Sequence, residues 1–342
     1  MATIHKPLLC LVTPALADAN NGNWQTARRW ARLLAGHYRV VVVREWPEAT
    51  LHETPAVLIA LHARRSAASI AAWARAHPLA PLVVVLTGTD LYRDIQGDAD
   101  ARRSLALAHR LVVLQERGPL ALPPPLRERC RVVFQSGPAR APLPKPRRFL
   151  RALMVGHLRD EKSPQTLFEA ARLIAPGEGI RIDHIGEALD PALGAAARAT
   201  AAACPHYRWL GPLPHAEVLR RLQRAHVLVH ASRLEGGAHA VLEAVRGGTP
   251  VLASRIEGNL GMLGEAYGGY FPVGDAPALA ALLRGCRADM AAPDGRLARL
   301  AAQCAARAPL FEPEAERQAL LALLNDVRPR EPAPATEPET PS

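Results

Sequence analysis

The stretch Ser232-Arg-Leu-Glu-Gly-Gly-Ala-His-Ala-Val-Leu-Glu243 carries the residue types best suited to chemistry in this chain. Glu235 stands in a predicted loop, and Glu243 lies eight positions on, inside a helix that starts near Ala238. An ionised carboxylate only accepts hydrogen bonds, so such a pair suits the vicinal hydroxyls of a sugar or a ribose. Gly236 and Gly237 let the backbone approach a ligand, and the N–H groups at a helix start beside Ala238 suit a pyrophosphate. An acidic loop residue and a solvent-facing helical glutamate would account for either Glu alone. The whole string favours the ligand.

Three polar segments of the first half follow predicted strands and should line a common cleft. They are Asn20-Asn21-Gly22-Asn23, Leu61-His62-Ala63-Arg64-Arg65-Ser66 and Leu86-Thr87-Gly88-Thr89-Asp90. Arg64, Arg65 and the N–H groups around Gly22 and Gly88 form a candidate anion cradle, with Asn21, Asn23, Thr87 and Thr89 beside it. Each Arg taken singly reads as surface. The spacing Asp98-Ala99-Asp100 imitates a metal motif, but it opens a helix, where acidic residues are favoured by the dipole. No metal is assigned.

These residues need a scaffold, and the pattern supplies one. Leu8–Thr13, Tyr38–Val43, Ala56–His62, Leu82–Thr87, Leu111–Gln115 and Arg131–Gln135 read as buried strands, with helices at Trp24–Leu34 and Ala67–Ala76. Four prolines between Gly137 and Pro146 mark a linker. Alternation then restarts, with strands at Leu150–Val155, Ile180–Ile185, Tyr207–Leu210, Val227–His230 and Pro250–Ala253. Helices are expected at Thr166–Ile174, Ala192–Ala203, Ala216–Ala225, Ala238–Val245, Gly295–Ala306 and Pro313–Leu324. The expected class is α/β: a first Rossmann-like domain (1–137), a linker (138–148), a second domain with its closing helices (149–327) and a disordered tail (328–342). Two doubly wound domains facing each other enclose a cleft between the carboxyl ends of their sheets.

Composition narrows the partners. Residues 1–148 hold 21 Lys+Arg and 10 Asp+Glu, a balance of 21 − 10 = +11. The remainder holds 42 − 21 = 21 against 32 − 10 = 22, a balance of −1. A basic half suits nucleic acid, a membrane surface or a small anion. Neither a zinc-finger nor a helix-turn-helix pattern is present, and no apolar run reaches the roughly 18 residues of a membrane span. The basic residues are overwhelmingly arginine, which genomic composition bias explains in part, and a small anionic ligand in the first half is the other account. Lys6, Leu8–Val12 and Ala15-Leu16-Ala17 imitate a secretory leader, but Thr13-Pro14 interrupts a run that fits a buried strand equally well. Five scattered cysteines without metal spacing suit reduced thiols and a cytoplasmic location.

The string from Glu235 to the Pro250-Val251 strand resembles the donor-binding motif of family 4 glycosyltransferases, and the resemblance covers most of 149–275. It implies a GT-B fold, with Glu243 on the ribose, Glu235 on the transferred sugar, and Gly236, Gly237 and Ala238 on phosphates or sugar. Val155-Gly156-His157-Leu-Arg159-Asp-Glu-Lys162 resembles the same family's phosphate motif, which makes Lys162 the group that neutralises the leaving diphosphate. The family's arginine is His157 here, so Arg159 is the candidate for the second charge. By the same resemblance Gly186 and the Trp209–His215 loop, Leu213 included, lie beside the base and ribose. A solvated helix-start lysine is the lesser alternative for Lys162.

The first-half segments, with Glu257-Gly-Asn-Leu-Gly-Met-Leu-Gly264 and Tyr267-Gly-Gly-Tyr270, resemble the selenosugar synthases of selenoneine biosynthesis across nearly the whole folded chain. That resemblance implies UDP-N-acetylglucosamine or UDP-glucose as donor, selenophosphate as acceptor, and no cofactor. Selenophosphate synthetase and selenoneine synthase would be the pathway partners. His62, Asp90 and the Asn20–Asn23 loop are then candidates for hydrolysing the Se–P bond. The rivals are a conventional family 4 transferase with an alcohol acceptor, a sugar-nucleotide epimerase and a non-catalytic sensor.

Overall fold

A computed structural model describes residues 6–16 and 22–327; Ala17, Asn20, Asn21 and the predicted tail lie outside them. The first sheet comprises β1 (Leu8–Val12), β2 (Arg39–Val43), β3 (Val57–Leu61), β4 (Leu82–Leu86), β5 (Arg110–Val113) and β6 (Cys130–Val132). The second comprises β7 (Leu150–Val155), β8 (Ile180–Ile185), β9 (Tyr207–Trp209), β10 (Val227–His230), β11 (Val251–Ser254) and β12 (Tyr270–Phe271). All pairings are parallel. Central strands such as LLCLV and LVVVL are buried along their whole length, because helices cover both faces of a parallel sheet.

The first domain carries α1 (Gly22–Leu34), α2 (Ala67–Ala76), α3 (Ile95–Gly97), α4 (Ala99–Leu107) and α5 (Pro124–Arg127). The second carries α6 (Pro164–Leu173), α7 (Pro191–Ala203), α8 (His215–Arg224), α9 (His239–Arg246), α10 (Glu257–Leu263), α11 (Ala276–Ala288) and α12 (Arg296–Arg307), and α13 (Pro313–Val327) follows. Asp98, Asp190 and Asp275 start α4, α7 and α11 by accepting backbone N–H groups of the first turn.

The strand order of the first sheet is β2-β1-β3-β4-β5-β6, so its order reverses between β1 and β3. That of the second is β12-β11-β10-β7-β8-β9, reversing between β7 and β10. At such reversals the loops diverge and leave a crevice. The sequence pattern did not anticipate β12, α10 or α11.

The closing helix α13 departs from the expected plan. Sequence order puts it with the second domain, but Leu320, Leu323 and Leu324 pack into the core of the first, with Trp30 and Leu34 of α1. Glu316 of α13 is fully buried there and accepts hydrogen bonds from Arg29 Nε (2.8 Å), Trp30 Nε1 (2.6 Å) and Ser136 N (2.9 Å). The helix thus returns across the linker and ties the two halves together.

Candidate functional site

The reversal in the second sheet brings two loops together. After β7 comes Gly156, then a short helical turn, Asp160–Lys162. The Lys162 stem lies across Gly156, where a Cβ would sit 3.4 Å from Lys162 Cδ. After β10 comes Glu235, and Lys162 Nζ donates to its Oε1. Ser232 Oγ donates to the same oxygen at 2.6 Å, and His230 Nε2 stands 3.3 Å away. The Lys162 and Glu235 side chains are 17% and 12% exposed, so solvent screens this pair poorly. Burial works against the charge on Glu235, but Lys162 and the His230 ring outweigh it and hold the carboxyl well below the usual carboxylate range.

Glu243 lies about one turn into α9, and its Oε1 is 2.6 Å from Nε2 of His215, the first residue of α8. Gly186 and Gly156 meet closely, since a Cβ on Gly186 would stand 1.9 Å from Gly156 O. Trp209 Nε1 fixes that loop by donating to Gly186 O at 2.8 Å, and Leu213 packs on the core of the same domain. The N–H of Ala238, expected to be free, donates to Met262 Sδ at 3.1 Å. His157 accepts from Glu187 N at 3.1 Å, and burial followed by the Arg159 charge lowers its pKa, so its ring is neutral at pH 7. The remaining cation of that loop is Arg159, 45% exposed and 3.9 Å from Glu161.

On the first-domain side, Asp90 is buried and accepts from Ala63 N (2.9 Å), Thr87 N (2.8 Å) and Gly88 N (3.0 Å). It therefore braces the loops after β3 and β4, and those bonds occupy the carboxylate expected to move protons. His62 is buried with φ +73, unusual for a side-chain-bearing residue, and its Nε2 lies 3.1 Å from Thr89 Oγ1. Burial lowers its pKa against the pull of Asp90. Arg64 is not an open cation: its Nε donates to Asp94 at 3.0 Å, which sequence spacing could not reveal. Arg65 is exposed, with no ion pair among the described residues. Gly22 and Asn23 start α1, whereas Asn21 lies outside the described residues.

The two sides touch. A Cβ on Gly237 would stand 2.7 Å from Leu114 Cβ of the first domain. Helix α10 bridges them, because Gly258 lies against the backbone of Glu235 and Gly261 against the Gln115 side chain. Arg117 ties the same region with ion pairs to Glu257 (2.6 Å) and Glu265 (3.3 Å). Asp98, by contrast, caps α4 by accepting from Ala101 N at 2.8 Å, which fits the acidic helix-start reading of the Asp98/Asp100 pair.

Residues 138–288 match the sequence family described as Glycosyl transferases group 1. No curated protein sequence matches the chain. Among solved structures, sucrose-phosphate synthase from Thermosynechococcus elongatus superposes with a TM-score of 0.72 at 16% identity, over 94% of this chain and 99% of that one. The chain has the two-domain GT-B fold. Anabaena Alr3699/HepE in complex with UDP and glucose has the same fold, at TM-score 0.71 and 15% identity over 94% and 100% of the two chains. The pneumococcal O-GlcNAc transferase GtfA in complex with UDP and GlcNAc superposes at TM-score 0.63 and 16% identity, over 79% of this chain and 56% of that one. No helix among the described residues of this GT-B chain is long and apolar enough to cross a membrane.

Four side chains at the cleft were not singled out from sequence: His230, Ser232, His215 and Asp94. His230 and Ser232 had a usable signal, since both adjoin Glu235 at a strand end. His215 ends the loop that the resemblance sets beside base and ribose, but its pairing with Glu243, 28 residues away, had no local signal, nor had that of Asp94 with Arg64, 30 residues away.

Proposed function

We propose that this chain transfers a sugar from a uridine diphosphate donor, with Glu243 on the ribose, Glu235 on the transferred sugar, and Lys162 with Arg159 on the diphosphate. The observation that carries this reading is the Lys162–Glu235 pair spanning the strand reversal of the second sheet, with α9 starting beside it. The acceptor atom attacks the anomeric carbon. The bond from that carbon to the diphosphate oxygen breaks, and its electron pair leaves with UDP. Lys162 stabilises the charge that develops there, in a site where solvent screens little. Several similar structures hold UDP together with glucose or GlcNAc, which supports the donor class.

A hydroxyl group is the acceptor we favour, in line with the one similar structure described as an O-GlcNAc transferase. A second reading, selenophosphate as in the selenosugar synthases, rests on the +11 balance of residues 1–148, with 21 basic and 10 acidic side chains, and on exposed Arg65. In that case selenium forms the new bond, and water then cleaves Se–P to release phosphate. The occupied state of Arg64 and Asp90 counts against it. Purified protein incubated with UDP-GlcNAc or UDP-glucose decides the matter by UDP release. Turnover with an alcohol panel alone establishes the first reading, and turnover only with selenophosphate establishes the second. A change in the donor sugar without UDP release would point to an epimerase and sink both.

A further inference from the structure

We propose that His215 is a further donor-site residue, whose ring and the incoming ribose compete for one oxygen of Glu243. This rests on the donor role given to Glu243 above. A ribose diol engages a carboxylate best through both oxygens. In this structure Oε1 is already bonded to His215 Nε2 at 2.6 Å. The His215 side chain is 69% exposed and that of Glu243 16%, so the ring can swing into solvent while the carboxylate stays at the cleft. An exposed pair of this kind is weak, and the handover costs little.

The exchange is linked to a proton. The bond to Glu243 raises the His215 pKa above the ordinary 6.5, and burial and Arg140 oppose it. The groups facing the ring are Glu243 and His239 from α9 and Arg140 from the linker. On its own helix, Glu217 is engaged by Arg220 and Arg221. When the diol takes Oε1, the imidazolium loses the partner that held its proton, and that proton passes to solvent. Nucleotide binding therefore tightens as pH rises from 6.5 through the raised value, and no further contribution comes from His215 above it.

The test is calorimetric titration of UDP into the full chain at pH 6, 7 and 8, each in two buffers of different ionisation enthalpy. Wild type should release more protons at pH 7 than His215→Ala. Between pH 6 and 8 its affinity should rise roughly 3- to 10-fold more than that of the variant. Titration of the UDP phosphate and of His157 occurs in both proteins and cancels, and burial pushes the His239 pKa down to about 3, outside this range. His215→Asn, which keeps a hydrogen-bonding group without a titrating one, should behave as His215→Ala does. Equal proton release and parallel pH profiles overturn the proposal, as does a variant that binds UDP more weakly than wild type at pH 6. Glu243→Ala separates the two layers. If it retains full UDP affinity, the donor reading of Glu243 fails; if it loses affinity while wild type and His215→Ala titrate alike, only the role of His215 fails.

Discussion

Gly88 of the first domain and Gly236 of the second meet backbone to backbone across the cleft. A Cβ on Gly88 would stand 2.9 Å from Gly236 N, and a Cβ on Gly236 would stand 2.4 Å from Thr87 O. Side chains at either place would hold the domains apart, and Gly88, with φ +137, would also be strained. Gly236→Ala should therefore lower kcat by about 10- to 100-fold, because an ångström of misplacement at a reacting centre has that effect. UDP affinity should change little, since Glu243 and the Gly156 loop belong to one domain. Steady-state kinetics beside a UDP titration checks this, and an unchanged kcat would show that the contact is not needed in the reacting state.

Lys162 and Glu235 should be separable by what each loses. Lys162→Met removes the cation, so Glu235 is left buried without its main partner and its pKa must rise. The wild-type pair contributes stability above the unfolded carboxylate value of 4.5 and loses it only as the pH falls far below that. Lys162→Met should forfeit that contribution at neutral pH, about 1–3 kcal/mol by denaturant unfolding. Its kcat should fall about 100-fold or more, the usual loss when one charge-stabilising donor is removed. A variant with wild-type kcat would remove Lys162 from the chemistry.

Arg64 and Arg65 should respond differently, although they are adjacent. Arg64 is bound to Asp94, with a 43% exposed side chain, so Arg64→Ala should cost no more than about 1 kcal/mol of stability. If an anion is the acceptor, Arg65→Ala should raise its KM several-fold and leave UDP binding intact. Equal effects of the two substitutions on acceptor KM would contradict this division.

Glu316 offers a test of the fold. Its carboxylate is buried and holds Arg29, Trp30 and Ser136 of the first domain. Glu316→Ala strands the Arg29 charge and the Trp30 N–H, so it should destabilise by about 3–5 kcal/mol. Thermal unfolding measures it. A loss below about 1 kcal/mol would mean that the α13 strap carries little of the stability.

Sequence periodicity was a good guide where one element decides its own burial. The strands from Leu8, Leu82, Leu150 and Val227 are buried runs, and the structure has them within a residue or two. It was a poor guide where tertiary contacts override local preference. Helix α10, EGNLGML, contains two glycines and shows no helical pattern of its own, yet it is helical where Gly258 and Gly261 lie against Glu235 and Gln115. Likewise α13 shows its apolar face in the sequence but not which sheet receives it. On the candidate site, motif spacing singled out Lys162, Glu235 and Glu243, and the structure pairs the first two with each other and the third with His215. The neutralisation of Arg64 by Asp94 and the bracing role of Asp90 were not, because both depend on loops folding back onto one another.

The most direct measurement is UDP binding by wild type, Glu243→Ala and Arg65→Ala under one set of conditions. A uridine-diphosphate site on the second domain predicts a single site in wild type and nearly wild-type affinity in Arg65→Ala. Glu243→Ala should lose about 1.5–3 kcal/mol, the cost of removing a charged hydrogen-bond acceptor. Equal UDP affinity in wild type and Glu243→Ala, or no UDP binding to the wild-type chain, would contradict the account.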